Sequence, residues 1–210
     1  PKVICICYVD DLLFWARDPA DIDRLAISLI EAGVDLEEED DAAGFLGVRM
    51  EKARDGILEL KQNGLIDRIL TALGLNDGMA KCKHTPSESR PLTKDPDGEQ
   101  AIGTFSYSSV VGMLLYLAGH SRPDIAYAVN CCARYMFCPR LCHETALKRI
   151  GRYLLATRTR GLIIKPTLVE GSLQIDSYPD ADFAGLYGYE RNDDPACAKS
   201  RTGYVILVCS

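Results

Sequence analysis

The chain has 210 residues, 47% of them apolar, and 24 Lys and Arg against 30 Asp and Glu give a formal net charge of -6. This composition supports a globular core in one large domain or two small ones and excludes wholesale disorder. The overall acidity does not mark a nucleic-acid binder, no apolar stretch is long enough to span a bilayer, and no secretory n-region and h-region opens the chain.

Two apolar runs, Val3-Ile4-Cys5-Ile6-Cys7 and Leu12-Leu13-Phe14-Trp15-Ala16, read as strands flanking Tyr8-Val9-Asp10-Asp11. A tight turn between them brings adjacent carboxylates to a hairpin tip. Hard divalent cations take oxygen ligands, and Mg²⁺ is commonly held by one or two carboxylates together with substrate phosphates. An Asp-Asp hairpin turn with no such role reads equally well on these residues alone.

A helix follows, with Asp18 as N-cap, Pro19 at its first position, Asp21 in its first turn and Gly33 as its stop. Its stripe of Ile22, Leu25, Ala26, Leu29 and Ile30 is expected to pack into a core. The acidic run Glu37–Asp41 reads as a surface loop, and residues 44–50 and 56–60 as strands. Helical periodicity returns from Gln62 to Leu73, closed by Gly74. From Lys81 to Gly103 it is lost among Pro86, Pro91, Pro96 and charged residues, which predicts a linker or a long extended crossing. Helices are predicted at Phe105–Ala118, Pro123–Met136 and Arg140–Ala156, and strands at Gly161–Lys165 and Leu173–Tyr178.

Charge is unevenly spread. Arg134, Arg140, Lys148, Arg149, Arg152, Arg158, Arg160 and Lys165 are opposed only by Glu144 in their stretch. They read either as a phosphate-contacting surface or as an ordinary solvated helix face. The nine cysteines lack paired Cys-x-x-Cys spacing, so Cys131, Cys132, Cys138, Cys142 and His143 make a weak zinc signal. Reduced, packed thiols in an intracellular protein are the better reading, with Cys5 and Cys7 acting as small hydrophobes in their strand. Pro1 is no ordinary initiator, and the chain opens and closes inside strand-like runs, so a piece of a longer polypeptide is expected.

Several blocks, taken in order, resemble the reverse transcriptases of Ty1/copia-type long-terminal-repeat retrotransposons. They are Tyr8-Val9-Asp10-Asp11, Phe45-Leu46-Gly47-Val48, Thr85-Pro86, Tyr107–Leu117, Arg122-Pro123-Asp124-Ile125-Ala126-Tyr127-Ala128-Val129, and His143–Thr157. Pro179–Gly185 and Lys199–Tyr204 resemble that family's entry into a ribonuclease H domain. The resemblance implies a mixed α+β chain in four parts. Residues 1–60 would be the C-terminal polymerase palm, 61–103 a thumb-like helix and linker, 104–165 a helical thumb or connection region, and 166–210 the truncated start of a ribonuclease H-like domain.

It further implies an RNA-directed DNA polymerase in which Asp10 and Asp11 hold two Mg²⁺ ions beside a primer–template duplex and deoxynucleoside triphosphates. Tyr8, Val9, Phe45, Leu46 and Gly47 would position the primer, and Lys148, Arg149 and Arg152 would touch the nucleic acid. Asp180 and Asp182 would start a second metal site, although an Asp-Ala-Asp surface turn is the bland alternative. The family's third palm aspartate lies upstream of this segment and its ribonuclease H carboxylates continue beyond it, so the isolated chain is expected to be inactive. Leu186-Tyr187-Gly188-Tyr189 and the long Glu190–Ala198 stretch depart from the family pattern, as an insertion or a mark of decay. The family's cytoplasmic particles imply an intracellular location. A non-catalytic nucleic-acid-binding remnant and a purely structural module are the competing functional classes.

Overall fold

The computed structural model describes residues 2–37, 47–52, 57–165 and 174–208. It divides into two units, Pro1–Glu51 and Lys52–Ser210.

In the first unit, β1 (Val3–Tyr8) and β2 (Asp11–Ala16) pair antiparallel, with Val3 opposite Ala16 and Tyr8 opposite Asp11. Helix α1 (Pro19–Glu31) begins as its sequence predicts. The Asp18 carboxylate accepts the Ala20 N–H at 3.1 Å, and Gly33 ends the helix region at φ +90°. The expected burial of its stripe is not found, for no residue of α1 is buried and Ile30 is largely exposed. Cys5 and Cys7 are likewise exposed rather than packed. A two-stranded ribbon and one helix offer too little surface to enclose a core, whatever their amphipathicity.

Strand β3 (Arg49–Lys52) spans the boundary between the units. The strands expected from residue 44 and residue 56 therefore begin later, with residues 44–46 and 56 outside the described residues. Strand β4 (Leu58–Lys61) pairs antiparallel with β5 (Leu162–Ile164), Leu58 standing opposite Ile164. A Cβ on Gly161 would sit 2.4 Å from the Leu60 carbonyl oxygen, so only glycine lets the chain enter β5 this closely.

Helices α2 (Asn63–Ala72), α3 (Tyr107–His120), α4 (Ala126–Ala133) and α5 (Leu141–Ala156) supply the core. Ile66, Ile69 and Leu70 meet Val110, Val111, Leu114 and Leu117, with Val129, Leu147, Ile150 and Leu154 completing the cluster. These positions recur at three- and four-residue spacing, which is why their pattern is readable in advance. The predicted 123–136 helix is shorter than expected. Pro123–Ile125 forms a 3₁₀ turn, and α4 ends at Ala133. Last come β6 (Ile175–Asp182) and β7 (Arg201–Val208), paired antiparallel with Asp180 opposite Gly203.

A buried polar knot joins α3 to α5. Arg122, only 2% exposed, donates from Nε and Nη2 to the Asp124 carboxylate at 2.9 and 2.7 Å. It also donates to the Thr157 carbonyl and hydroxyl at 3.1 and 2.7 Å. Tyr153 adds its hydroxyl to the same Asp124 oxygen at 2.7 Å. Burial works to raise the Asp124 carboxyl, but the bonds from Arg122 and Tyr153 outweigh it and hold the group below its ordinary range.

The 81–103 segment carries no helix or strand and is tied down along α5. His143 stacks on Tyr135 with centroids 4.1 Å apart; its Nδ1 accepts the Arg140 N–H at 2.8 Å, and its Nε2 lies 2.7 Å from the Thr93 carbonyl, which fixes the proton on Nε2. The buried Glu144 carboxylate accepts the Ile102 and Gly103 N–H groups at 3.0 and 2.8 Å. Tyr135 donates to the Leu92 carbonyl at 2.8 Å, and Arg140 Nη2 to that of Pro96 at 2.9 Å. Burial depresses the His143 imidazole, so the ring is neutral when folded.

The Arg122→Ala chain should lose roughly 3 kcal/mol in urea unfolding, because a buried side chain would leave a void and the buried Thr157 carbonyl and hydroxyl would lose their donor. Stability should also be pH-dependent. A histidine depressed by folding binds its proton more readily when unfolded, so its contribution is complete above the ordinary value of 6.5 and is lost as pH falls through the folded value. Urea midpoints should fall on acidification below about pH 6.5, and His143→Gln should remove the part of that decline that precedes carboxylate protonation.

Candidate functional site

The hairpin tip is a two-residue turn, since Tyr8 and Asp11 are the last paired positions. Val9 sits at φ +53°. Such turns suit the right-handed twist of their strands but demand positive φ, which β-branched residues resist. The strain costs on the order of 1–3 kcal/mol and sits in the turn that carries Asp10 beside Asp11. Tyr8, Val9, Asp10 and Asp11 are all exposed, and neither carboxylate has a hydrogen-bond or ion-pair partner among the described residues. Two adjacent, unneutralised oxygen donors fit a hard divalent cation. Gly47 is exposed at φ +66°, whereas Phe45 and Leu46 lie outside the described residues.

The basic residues of α5 present a different picture. Arg149 donates from Nη1 to Glu88 and from Nη2 to the Thr85 hydroxyl, each at 2.8 Å. Lys148 lies over the Phe105 ring, 5.8 Å from its centroid. Arg152 is half-buried on the same helix face as Arg149, three residues along. Elsewhere in the basic stretch, Arg158 pairs with Asp67 at 2.5 Å and Arg134 stacks over Tyr135. Lys148, Arg149 and Arg158 are thus matched by acidic or aromatic groups distant in sequence.

Asp180 and Asp182 share one face of β6, two residues apart. Their environments differ. Asp182 accepts the Arg201 N–H at 2.5 Å, and its other oxygen lies 4.0 Å from Arg201 Nε. A Cβ on Gly185 would fall 2.1 Å from that same oxygen, so the chain folds back directly over the carboxylate. Asp182 is thereby a staple at the base of the 183–200 loop, while Asp180 is exposed and has no partner among the described residues. That loop includes the unusual 186–198 stretch, which buries Leu186 and Cys197. Glu190 accepts the Lys94 N–H at 2.6 Å and Asp194 pairs with the Lys94 ammonium, so the stretch is integrated with the 81–103 segment.

At the cysteine cluster, both His143 nitrogens are engaged by backbone. Burial pushes the Cys132 thiol up to about 12 and that of Cys142 to about 11. All eight described cysteines are free thiols.

The chain matches curated proteins over most of its length. The Pol polyprotein of transposon RE1 from Arabidopsis thaliana is 33% identical over 183 residues, covering 87% of this chain and 12% of that protein. A putative transposon Ty5-1 protein of Saccharomyces cerevisiae is 31% identical over 203 residues, 96% of this chain and 61% of its own length. An uncharacterized mitochondrial protein of Arabidopsis thaliana is 30% identical over 199 residues, and this chain covers 76% of it. The chain belongs to the Ty1/copia Pol family. It spans about an eighth of the RE1 polyprotein, so it corresponds to a segment of such a Pol protein. No protein-family model and no solved structure matches it.

Within this Ty1/copia Pol segment, the candidate residues fall into separate groups: the Tyr8–Asp11 tip in the first unit, and the α5 face and β6 aspartates in the second. Sequence reasoning did not foresee that Glu88 and Thr85 engage Arg149, or that Arg201 engages Asp182. These partners lie 61, 64 and 19 residues apart, beyond any local spacing rule.

Replacing Val9 by glycine should relieve the turn strain. Backbone amides of β1 and β2 should then exchange with solvent about threefold to tenfold more slowly, net of the entropy that glycine adds to the open state.

Proposed function

We propose that this chain is the part of a retrotransposon reverse transcriptase that carries the catalytic Tyr-Val-Asp-Asp turn, followed by the helical region and the first strands leading into a ribonuclease H-like domain. The observation that carries this reading is the strained hairpin tip, with its pair of exposed, unpartnered carboxylates, in a chain of Ty1/copia Pol descent.

The reaction joins a primer 3′-hydroxyl to the α-phosphate of a deoxynucleoside triphosphate and releases pyrophosphate. Asp10 and Asp11 would hold Mg²⁺, which when bound stabilises charge on the phosphates and favours the deprotonated hydroxyl. Asp10, at the turn itself, is the primary ligand; Asp11, paired with Tyr8 at the end of the ladder, is the second. The paired strands keep both carboxylates at one end of a ribbon, and Tyr8 and Val9 offer an aromatic and an aliphatic surface beside them for the primer terminus. Gly47, with Phe45 and Leu46, is assigned to the primer grip. Lys148, Arg149 and Arg152 are assigned to the nucleic-acid backbone, and Asp180 is the candidate first ligand of a ribonuclease H site. The tether between Arg201 and Asp182 makes Asp182 the weaker candidate there.

Two measurements test the polymerase assignment. Mn²⁺ added to this chain should broaden backbone resonances at Tyr8–Leu12, and Asp10→Asn should abolish the effect. In a Pol polypeptide carrying this chain, Asp10→Asn should lower Mg²⁺-dependent primer extension by on the order of a thousandfold or more. Equal extension with and without Asp10 would refute the assignment.

A further inference from the structure

Arg149 is built as a half-used anion clamp. Its side chain is 18% exposed, whereas that of Glu88, which reaches it from the 81–103 segment, is 69% exposed. The carboxylate takes only Nη1, and the Thr85 hydroxyl takes Nη2 while donating its own proton to the Ser87 carbonyl at 3.0 Å. The Arg149 Nε–H is buried with no acceptor among the described residues, and so is that of Arg152 on the same face of α5. An orphaned guanidinium donor in an otherwise well-bonded region calls for an acceptor. The Nε–H shares its edge with the Nη2 that Thr85 now holds, so a phosphodiester that lifts Thr85 and Glu88 together can meet that edge with two non-bridging oxygens. The strap over this surface is held lightly nearby, with the Lys83 N–H donating to the Arg152 carbonyl at 3.3 Å.

We propose that the Lys83–Glu88 strap is an internal cover in which the Glu88 carboxylate stands in for a backbone phosphate on Arg149, and that a nucleic-acid phosphodiester displaces it to open the α5 face. This rests on the assignment of that face to nucleic-acid binding. The displaced carboxylate already faces water, so its release strands no buried charge, and the entering phosphate supplies an acceptor to donors that now lack one.

The test uses the full chain and a fluorescein-labelled RNA–DNA hybrid of about two helical turns, titrated at several salt concentrations. Glu88→Gln should tighten binding about threefold to tenfold and leave the dependence of log K on log salt unchanged, since the same phosphate contact forms without competition. Arg149→Ala placed on top of Glu88→Gln should cancel the gain. In the unsubstituted chain, saturating hybrid should speed hydrogen exchange at the Lys83 amide, a readout that does not depend on any variant folding. Equal affinity of Glu88→Gln and the parent, or a Lys83 amide equally protected with hybrid bound, would overturn the cover and leave the nucleic-acid assignment standing. Absence of binding by every form at low salt would overturn both.

Discussion

A backbone without helix or strand must still satisfy its N–H and C=O groups, and the 81–103 segment does so against α5. That single requirement organises the larger unit. The apolar stripe of α5, Leu147, Ile150 and Leu154, faces α2 and α3, while its other side chains serve as anchors for a segment that has no ladder of its own. Glu144 receives the Ile102 and Gly103 amides, His143 serves Thr93, Arg140 serves Pro96 and Arg149 holds Glu88. Each bond contributes only about 1 kcal/mol net, but leaving a buried one unmade costs about 1–3 kcal/mol. The helix is therefore as much a scaffold for irregular chain as a member of the core.

The Arg122 knot performs a related task at the opposite end of α5. Its guanidinium reads both the carbonyl and the hydroxyl of Thr157, just past the last turn, and the Asp124 carboxylate in the 3₁₀ turn. Helix ends leave carbonyls without intrahelical partners. Here a buried cation satisfies one of them, while Tyr153 from within α5 closes the circuit on Asp124. The relative order of α3, the 3₁₀ turn and α5 is thus secured by polar geometry as well as by apolar packing.

What was legible in the sequence is what depends on near neighbours. Asp18, Pro19 and Gly33 announced α1, Gly74 announced the end of α2, and the three-and-four spacing of Leu65, Ile66, Ile69 and Leu70 announced a buried face. The Tyr8–Asp11 turn was visible because both its flanking strands are apolar. Burial was less legible than periodicity, for the stripe of α1 is as amphipathic as that of α2, yet only α2 has neighbouring helices to cover it. The fate of charge was hidden as well. The run of basic residues from Arg134 to Lys165 looked like free cationic surface, but Glu88 and Asp67, which answer Arg149 and Arg158, come from far upstream. Likewise nothing local in the sequence tells that Arg201 and Gly185 fold against the Asp182 carboxylate.

The β6–β7 ribbon has two unlike borders. Among the described residues these strands pair only with each other, so each also presents an outer row of backbone groups. Along β7, Tyr204-Val205-Ile206-Leu207-Val208 is uncharged, β-prone and exposed. Such a run is a template for self-templated cross-β growth. Along β6, Asp176, Asp180 and Asp182 repel a like strand. The hazard of aggregation is consequently one-sided, with β7 the border at which a second copy can add and β6 the guarded one.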